Sequence, residues 1–573
     1  MELPRHRLVM LSLVGALLGV LGGLAAFVLI RAIGLLTNLA FFHRAAWDIP
    51  SFRELQPSPM IPVVAVVGGL VVAVLARWCP MIKGHGIPEA MDAVLTKQSR
   101  ISPRAAIAKP VSAAVAIGTG GPFGAEGPII VTGGALGSLL GQLFRTSPAE
   151  RKILLASGAA AGMAATFGTP LAAVVLAIEL LLFEFSTRVF IPLVVAAAVA
   201  GGMHALFFGP GTLLAAPAHG DLGLAVLPLF AVLGLACGGL AVVVTKGLEW
   251  VEEGFERLPL HPFWFPVLGA LAFGLIGLWQ PRALSVGYDV IDDVDLGRLA
   301  LGAVAAIAVA KLLAWWLALG SGTSGGTLAP MLLIGGAFGA VCGAAVVRVL
   351  PGASAPATAF ALVAMAAVFA AATRAPFASM VFVFELTRDF GIVVPLMIAT
   401  VLACLVYDAV LRESLLTAKL VRRGVPVRPQ LGVDPMRATL VRDVMTREVV
   451  TIPEAATVAE ARAVFRSAGH SAYPIVSRDG TPIGIVTRGD LLADGVSDGN
   501  QVRDVAAAQV VGVAPGDPLE RAVDVMLEEG VEHVPVFEHG ELRGIVTRTD
   551  LLTARDRVRG HERRQPGWLA ALR

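Results

Sequence analysis

The chain has 573 residues, of which 56% are hydrophobic and only 15% charged, and its mean hydropathy is +0.76. Soluble globular domains do not reach that balance, so the composition marks a polytopic membrane protein. Near-equality of 45 Lys+Arg and 43 Asp+Glu leaves no global basic field for nucleic acid, and Cys79, Cys237, Cys342 and Cys404 have neither zinc-site spacing nor a disulfide framework.

Leu8 to Ile30 is an uncharged apolar run long enough to cross a hydrocarbon core of about 30 Å and too long for a signal peptide; it is read as the first membrane helix. Further apolar stretches follow at 61–78, 128–144, 152–183, 190–208, 222–246, 264–280, 299–319, 328–349 and 358–411. Several fall short of the roughly 20 residues a spanning helix needs and are interrupted by Gly and Pro, which predicts broken helices. Arg5 and Arg7 precede the first span, Lys83, Lys97, Arg100 and Arg104 share one connection, and Arg145, Arg151 and Lys152 share another. This is the pattern of cytoplasmic loops and a cytoplasmic N-terminus.

The apolar portion repeats. Lys109 corresponds to Lys311, Gly118 to Gly320, Gly120 to Gly322, Pro128 to Pro330, and "GGALG" (133–137) to "GGAFG" (335–339), all at one offset. A second block pairs "MAATFGTPLAAVVLAIEL" (163–180) with "FAAATRAPFASMVFVFEL" (369–386). Duplicated halves with glycine-broken helices are the signature of transporters whose site lies mid-membrane between the halves. "GAEGP" and "GGTLAP" read as loops ending at helix N-termini, where free N–H groups and the positive end of the helix dipole attract anions. Glu126, in "GGPFGAEGPII", is a carboxylate with no cation beside it. In a soluble protein it would be an N-terminal helix carboxylate satisfied by the dipole; in a membrane segment it reads first as functional.

"GHGIP" (84–88), "GAEGP" (124–128) and "GTLAP" (326–330) stand in the order and spacing of the GSGIP, GREGP and GxFxP loops of the CLC family of chloride channels and chloride/proton antiporters, which the chain resembles. The resemblance implies a homodimer with a pore in each subunit, two inverted helical halves, and anion-binding positions at Gly84, His85, Gly86, Ile87, Gly124, Ala125, Glu126, Gly127, Thr327, Leu328 and Leu416. Glu126 matches the family's external gating glutamate, an anion mimic that swings out when protonated. The chain departs from the family at several places. His85 replaces a serine and either donates to the anion or faces the inner vestibule without touching it. Leu416 falls where many relatives have an inner-gate tyrosine, and Leu328 replaces phenylalanine. Leu180 replaces the internal proton-transfer glutamate, leaving Glu126 and Glu179 as a candidate proton path. Channel and antiporter stay open.

After about residue 412 the sequence turns charged, with short β-branched runs between helical patterns. "GIVTRGDLL" (484–492) returns as "GIVTRTDLL" (544–552), and "VRDV" at 441–444 returns at 502–505. Each copy reads strand, helix, strand, strand, helix and resembles a CBS domain. The division expected is a transport domain at 1–420, a linker at 421–438, CBS domains at 439–495 and 500–556, and a tail at 557–573. Thr487, Asp490, Thr547 and Asp550 match the positions where CBS pairs contact ATP, ADP or AMP, although Thr and Asp also cap helices. The resemblance places the chain in a bacterial inner membrane with the CBS pair cytoplasmic. No metal or obligatory cofactor is implied, and the resemblance implies chloride or a similar small anion as the ion carried. A CBS-regulated magnesium transporter is the alternative, but such a protein needs intramembrane acidic oxygens and only Glu126, Glu179, Glu184 and Glu385 are evident. Neither an H-E-x-x-H zinc-protease motif nor a dinucleotide fingerprint occurs, so the chain is not read as an enzyme.

Overall fold

The computed structural model describes residues 5–209, 219–220, 222–350, 355–425, 436, 439–468, 470–478, 481–506 and 511–554, in two compact units divided between Leu431 and Gly432. The first unit is helical: α1 (Arg5–Phe41), α2 (Met60–Trp78), α3 (Ile87–Thr96), α4 (Pro103–Gly118), α5 (Glu126–Leu143), α6 (Pro148–Phe167), α7 (Pro170–Ala177, prolonged by a π turn Ile178–Leu182), α8 (Thr187–Phe208), α9 (Leu227–Glu256), α10 (Phe265–Trp279), α11 (Tyr288–Asp295), α12 (Leu301–Gly320), α13 (Leu328–Val349), α14 (Ala357–Thr373), α15 (Pro376–Thr387), α16 (Val393–Val410) and α17 (Ala418–Arg422). Among the described residues, seven helices are long and apolar enough to span a membrane, and four shorter apolar helices accompany them.

The expected breaks are present, and their causes are local. The 152–183 run divides where Gly168 adopts φ +68° and Pro170 opens α7. The 358–411 run divides at the equivalent place, where Arg374 is left-handed at φ +57° before Pro376, and again at Arg388. The first helix, by contrast, extends well past Ile30. Arg31 lies over the Phe27 ring, and the Asn38 amide closes the far end by donating to the carbonyls of Gly34, Ala46 and Asp48. Apolar runs alone did not reveal α3, α4 or α11, because α4 carries Lys109 and Pro110 and α11 carries four aspartates.

Glycine sets the packing distance. A Cβ on Gly133 would lie 2.1 Å from the Gly158 carbonyl oxygen, and one on Gly158 would lie 2.1 Å from that of Gly133, so α5 and α6 touch backbone to backbone. The repeated Gly339 meets the Phe360 carbonyl at 2.2 Å between α13 and α14. The halves are inverted, as two sets of contacts establish. Equivalent Gly124 and Gly326 exchange backbone hydrogen bonds of 3.3 and 2.9 Å in an antiparallel bridge, which places a two-fold axis between them. Glu179, at the end of α7, accepts from the Phe377 and Ala378 amides at the start of α15, while Glu385 on α15 accepts from the Leu171 and Ala172 amides at the start of α7.

The cations read as cytoplasmic loops gather on one face. Arg7 pairs with Glu150 at the start of α6, and Arg151 donates to the Gln98 carbonyl in the α3–α4 connection.

The second unit holds two sheets. In the first, β1 (Ile452–Pro453) runs parallel to β2 (Ala472–Val476), which pairs antiparallel with β3 (Pro482–Thr487); in the second, β4 (His533–Glu538) pairs antiparallel with β5 (Glu541–Thr547). The second copy's opening strand is reduced to a parallel bridge, Val513 to Val536. Each copy has its own core, around Phe465 and Tyr473 in one and Val525 and Val534 in the other.

Candidate anion site

Three glycine-rich loops meet at the inverted-repeat axis. Gly84 bridges to Ser324, Gly124 bridges to Gly326, and a Cβ on Gly86 would strike the Gly127 carbonyl at 2.7 Å. Each loop opens a helix: Gly86 caps α3, Ala125 caps α5 and Thr327 caps α13, none with a side-chain hydrogen bond. Nearby α4 and α6 are closed by Ser102 and by a Ser147/Glu150 capping box. The first N–H groups of an uncapped helix need an external acceptor, and burial in an apolar domain makes leaving them bare costly by about several kcal/mol each. Helix ends of this kind attract anions.

The carboxylate enclosed at this centre is that of Glu126. Glu126 is 1% exposed, and its carboxylate fills space that any side chain at Gly124 or Gly326 would occupy, with one oxygen 1.7 and 2.6 Å from where a Cβ on either glycine would stand. One oxygen accepts from the Tyr288 hydroxyl at 3.2 Å, and the other is buried without a partner. On one side of this carboxylate an open cavity of about 540 Å³ is lined by Ala125, His204, Ser285, Tyr288 and Asp289. On the other side His85 is 6% exposed with Nδ1 unpartnered, beside the Gly84 carbonyl that the buried Lys109 ammonium holds at 2.7 Å. Lys109 also holds Ile82, and its repeat counterpart Lys311 holds Ser285 and Val286 in the same manner. The two repeat-marking lysines are thus loop staples, one in each half.

Gly84, His85, Gly86, Ile87, Gly124, Ala125, Glu126, Gly127, Thr327 and Leu328 all lie in or directly after these loops. Leu416 sits apart from them in the chain, fully buried just before α17, where neighbouring Leu415 donates to the Ala372 carbonyl. Glu179 spends its carboxylate on two amides, and Leu180 is buried. The missed residue is Tyr288. Its helix start lies near the repeat offset from that of α3, each opening after a positive-φ glycine, and this was the available signal.

In the second unit, Thr487 and Asp490 form a capping box, and Thr547 and Asp550 make the same exchange of hydrogen bonds. Thr547 and Asp550 also line a cavity of about 590 Å³ together with Thr446, Tyr473, Arg488 and His533, whereas Thr487 and Asp490 are not among its lining residues. His533, against Ser471 at 3.0 Å, has its pKa lowered, first by burial.

Inverted halves closing around uncapped helix ends define a membrane transport protein of the inverted-repeat class. A family model described as voltage gated chloride channel matches residues 64–408, and a CBS domain model matches 441–495 and 502–557. The chain belongs to the CLC family and carries a CBS pair. It is 26% identical to chloride channel protein CLC-f of Arabidopsis thaliana, over 93% of this chain and 78% of that one. It is 30% identical to the H(+)/Cl(-) exchange transporter ClcA of Vibrio campbellii, over 61% of this chain and 78% of that one. Among solved structures, a slow cyanobacterial Cl-/H+ antiporter superposes with a TM-score of 0.64 at 25% identity, covering 74% of this chain and 99% of that one. A eukaryotic CLC transporter shares the fold across 95% of this chain and 98% of its own, with a TM-score of 0.60 and 21% identity.

Proposed function

We propose that this protein moves chloride or a similar small anion across the bilayer through a pore in each subunit of a homodimer, with Glu126 as the gate. The observation that carries this reading is the Glu126 carboxylate enclosed between the Gly124 and Gly326 loops, where uncapped helix ends from both halves converge. An ionised carboxylate there takes the place of the transported anion; protonation removes the charge and with it the competition. N–H donors converging on the site oppose a magnesium-transporting reading, which requires converging oxygens. The cationic loops support a cytoplasmic N-terminus and a cytoplasmic Lys419 and Arg422 end of the domain.

Both kinds of relative, channel and exchanger, bear on whether protons move with the anion. Glu126 is the proton acceptor in either case, and an inner route has to run through Glu179 or through water, since Leu180 cannot carry a proton. Purified protein in liposomes under an imposed chloride gradient, with anion and proton flux followed together, tests the proposal. Chloride flux is expected, and uphill proton movement in fixed ratio marks exchange. Glu126→Gln is expected to alter anion flux and abolish its external pH dependence; an unchanged pH profile removes Glu126 from the gate. We further propose that the cavity lined by Thr547 and Asp550 binds an adenine nucleotide that modulates transport.

A further inference from the structure

We propose that Tyr288 is the latch of the gate, a positioning residue whose hydroxyl holds the Glu126 carboxylate in the anion position from the cavity side. This rests on the assignment of Glu126 as the gate. The Tyr288 hydroxyl donates to Glu126 Oε1 at 3.2 Å, and no other side-chain hydrogen bond to that carboxylate occurs among the described residues. Tyr288 is the first residue of α11 and also lines the open cavity, so it stands between the carboxylate and that cavity.

The hydroxyl is held in place by contacts from several elements. Lys311 fixes the preceding turn through the Ser285 and Val286 carbonyls at 2.6 and 3.2 Å, the Ser285 amide donates to Gly120, and Gly287 supplies φ +84° to start the helix. Asp289 accepts from Ser51 at 2.6 Å, and the Phe167 ring meets the tyrosine edge-on at 6.3 Å. The inverted repeat gives this arrangement a logic. In the first half, α3 begins after a lysine-stapled turn and presents backbone N–H groups to the centre; in the second half, α11 begins after the matching turn and presents a hydroxyl. The centre lacks a tyrosine at position 416, and its phenolic donor comes from the start of α11.

A hydrogen bond to an ionised carboxylate is roughly twice as strong as one to a neutral group. The latch therefore favours the ionised, inward carboxylate over the protonated one that leaves. Other charged or titratable groups around the pair are Lys311 from α12, committed to its two carbonyls, and, lining the same cavity, Arg31, Asp48, His204 and Asp289. None of these makes a hydrogen bond to the carboxylate among the described residues.

The test is chloride efflux from liposomes against external pH for the full-length parent, Tyr288→Phe, Glu126→Ala and the double variant. Tyr288→Phe is expected to raise efflux at neutral and alkaline pH and to move the midpoint of acid activation up by about one pH unit. In the Glu126→Ala background the same substitution is expected to change nothing. If Glu126→Ala leaves the pH dependence intact, the gate assignment fails. If Glu126→Ala removes it while Tyr288→Phe keeps the parent's profile, or scales efflux equally in both backgrounds, the latch fails alone. The chain has only three tyrosines, so global 3-fluorotyrosine incorporation supplies a second arm that does not depend on the folding of Tyr288→Phe. Its more acidic hydroxyl is a stronger donor and is expected to move the midpoint down; a midpoint at the parent's value or above it overturns the proposal.

Discussion

Replacing Gly124 by alanine asks whether the Glu126 carboxylate fills the pore. The three atoms nearest a Cβ at this position are Glu126 Oε2 at 1.7 Å, Cδ at 2.3 Å and Oε1 at 2.4 Å. All three belong to the end of a flexible side chain, so the conflict is relieved by moving the carboxylate with the backbone left in place. Gly124 does not have a positive φ, and alanine is unstrained there. Keeping the carboxylate inside would incur an overpacking cost of about 1–3 kcal/mol. A difference of that size changes the ratio of two conformers by about 5–150-fold. Gly124→Ala is therefore expected to behave as a partly released gate: chloride efflux from liposomes at neutral external pH rises about five-fold or more, and its pH dependence flattens. Gly127→Ala is the contrasting case. Its Cβ would lie 1.9 Å from the His85 carbonyl oxygen, a backbone atom held between two helix starts, so thermal stability and yield are expected to drop instead. Parental efflux with parental pH dependence in Gly124→Ala, or efflux below the parent's, would refute the reasoning.

Glu179→Gln and Glu385→Gln each remove a charged cap from the opposite half's short helix and are expected to cost about 1 kcal/mol apiece, read as similar drops in thermal stability in detergent; a loss confined to one of them contradicts their equivalence. In the CBS unit, burial lowers the His533 pKa against the influence of Glu532 and Asp550. The unfolded chain then binds the extra proton first, so stability is complete above the ordinary histidine value and declines as pH falls toward the lowered one. A His533→Gln variant should lose that slope in thermal melts, and an identical slope would remove His533 as its source. Calorimetry of the 432–573 unit with ATP, ADP and AMP is expected to show binding that Asp550→Ala weakens more than Asp490→Ala, because only Asp550 lines the cavity; absence of heat with all three nucleotides argues against the nucleotide reading.

Much of this architecture was legible because membrane sequences are constrained at two scales. Glycine and proline punctuate broken helices, and the repeated Lys, Gly and Pro positions expose the duplication by themselves. Glu126 stood out because a lone carboxylate in apolar surroundings has few bland explanations. Hydropathy missed α3, α4 and α11, because charged residues such as Glu89, Lys109 and Asp293 lower the mean of any apolar window laid over them. Tyr288 escaped for a related reason. A tyrosine before an aspartate-rich helix looks like an interfacial residue until the axis brings it to Glu126. Glu179 carries a structural task that the sequence did not announce, since its carboxylate closes a helix from the other half.

That exchange of carboxylates also constrains how the chain is made. When α7 leaves the ribosome its first amides have no acceptor, because Glu385 lies more than two hundred residues downstream; Glu179 waits equally long for the start of α15. At about 5–20 residues per second the interval is about 10–40 s. Throughout it the newborn first half sits in the bilayer with an open helix end and a bare carboxylate, so the nascent chain needs shelter by the insertion machinery or by water until its second half arrives.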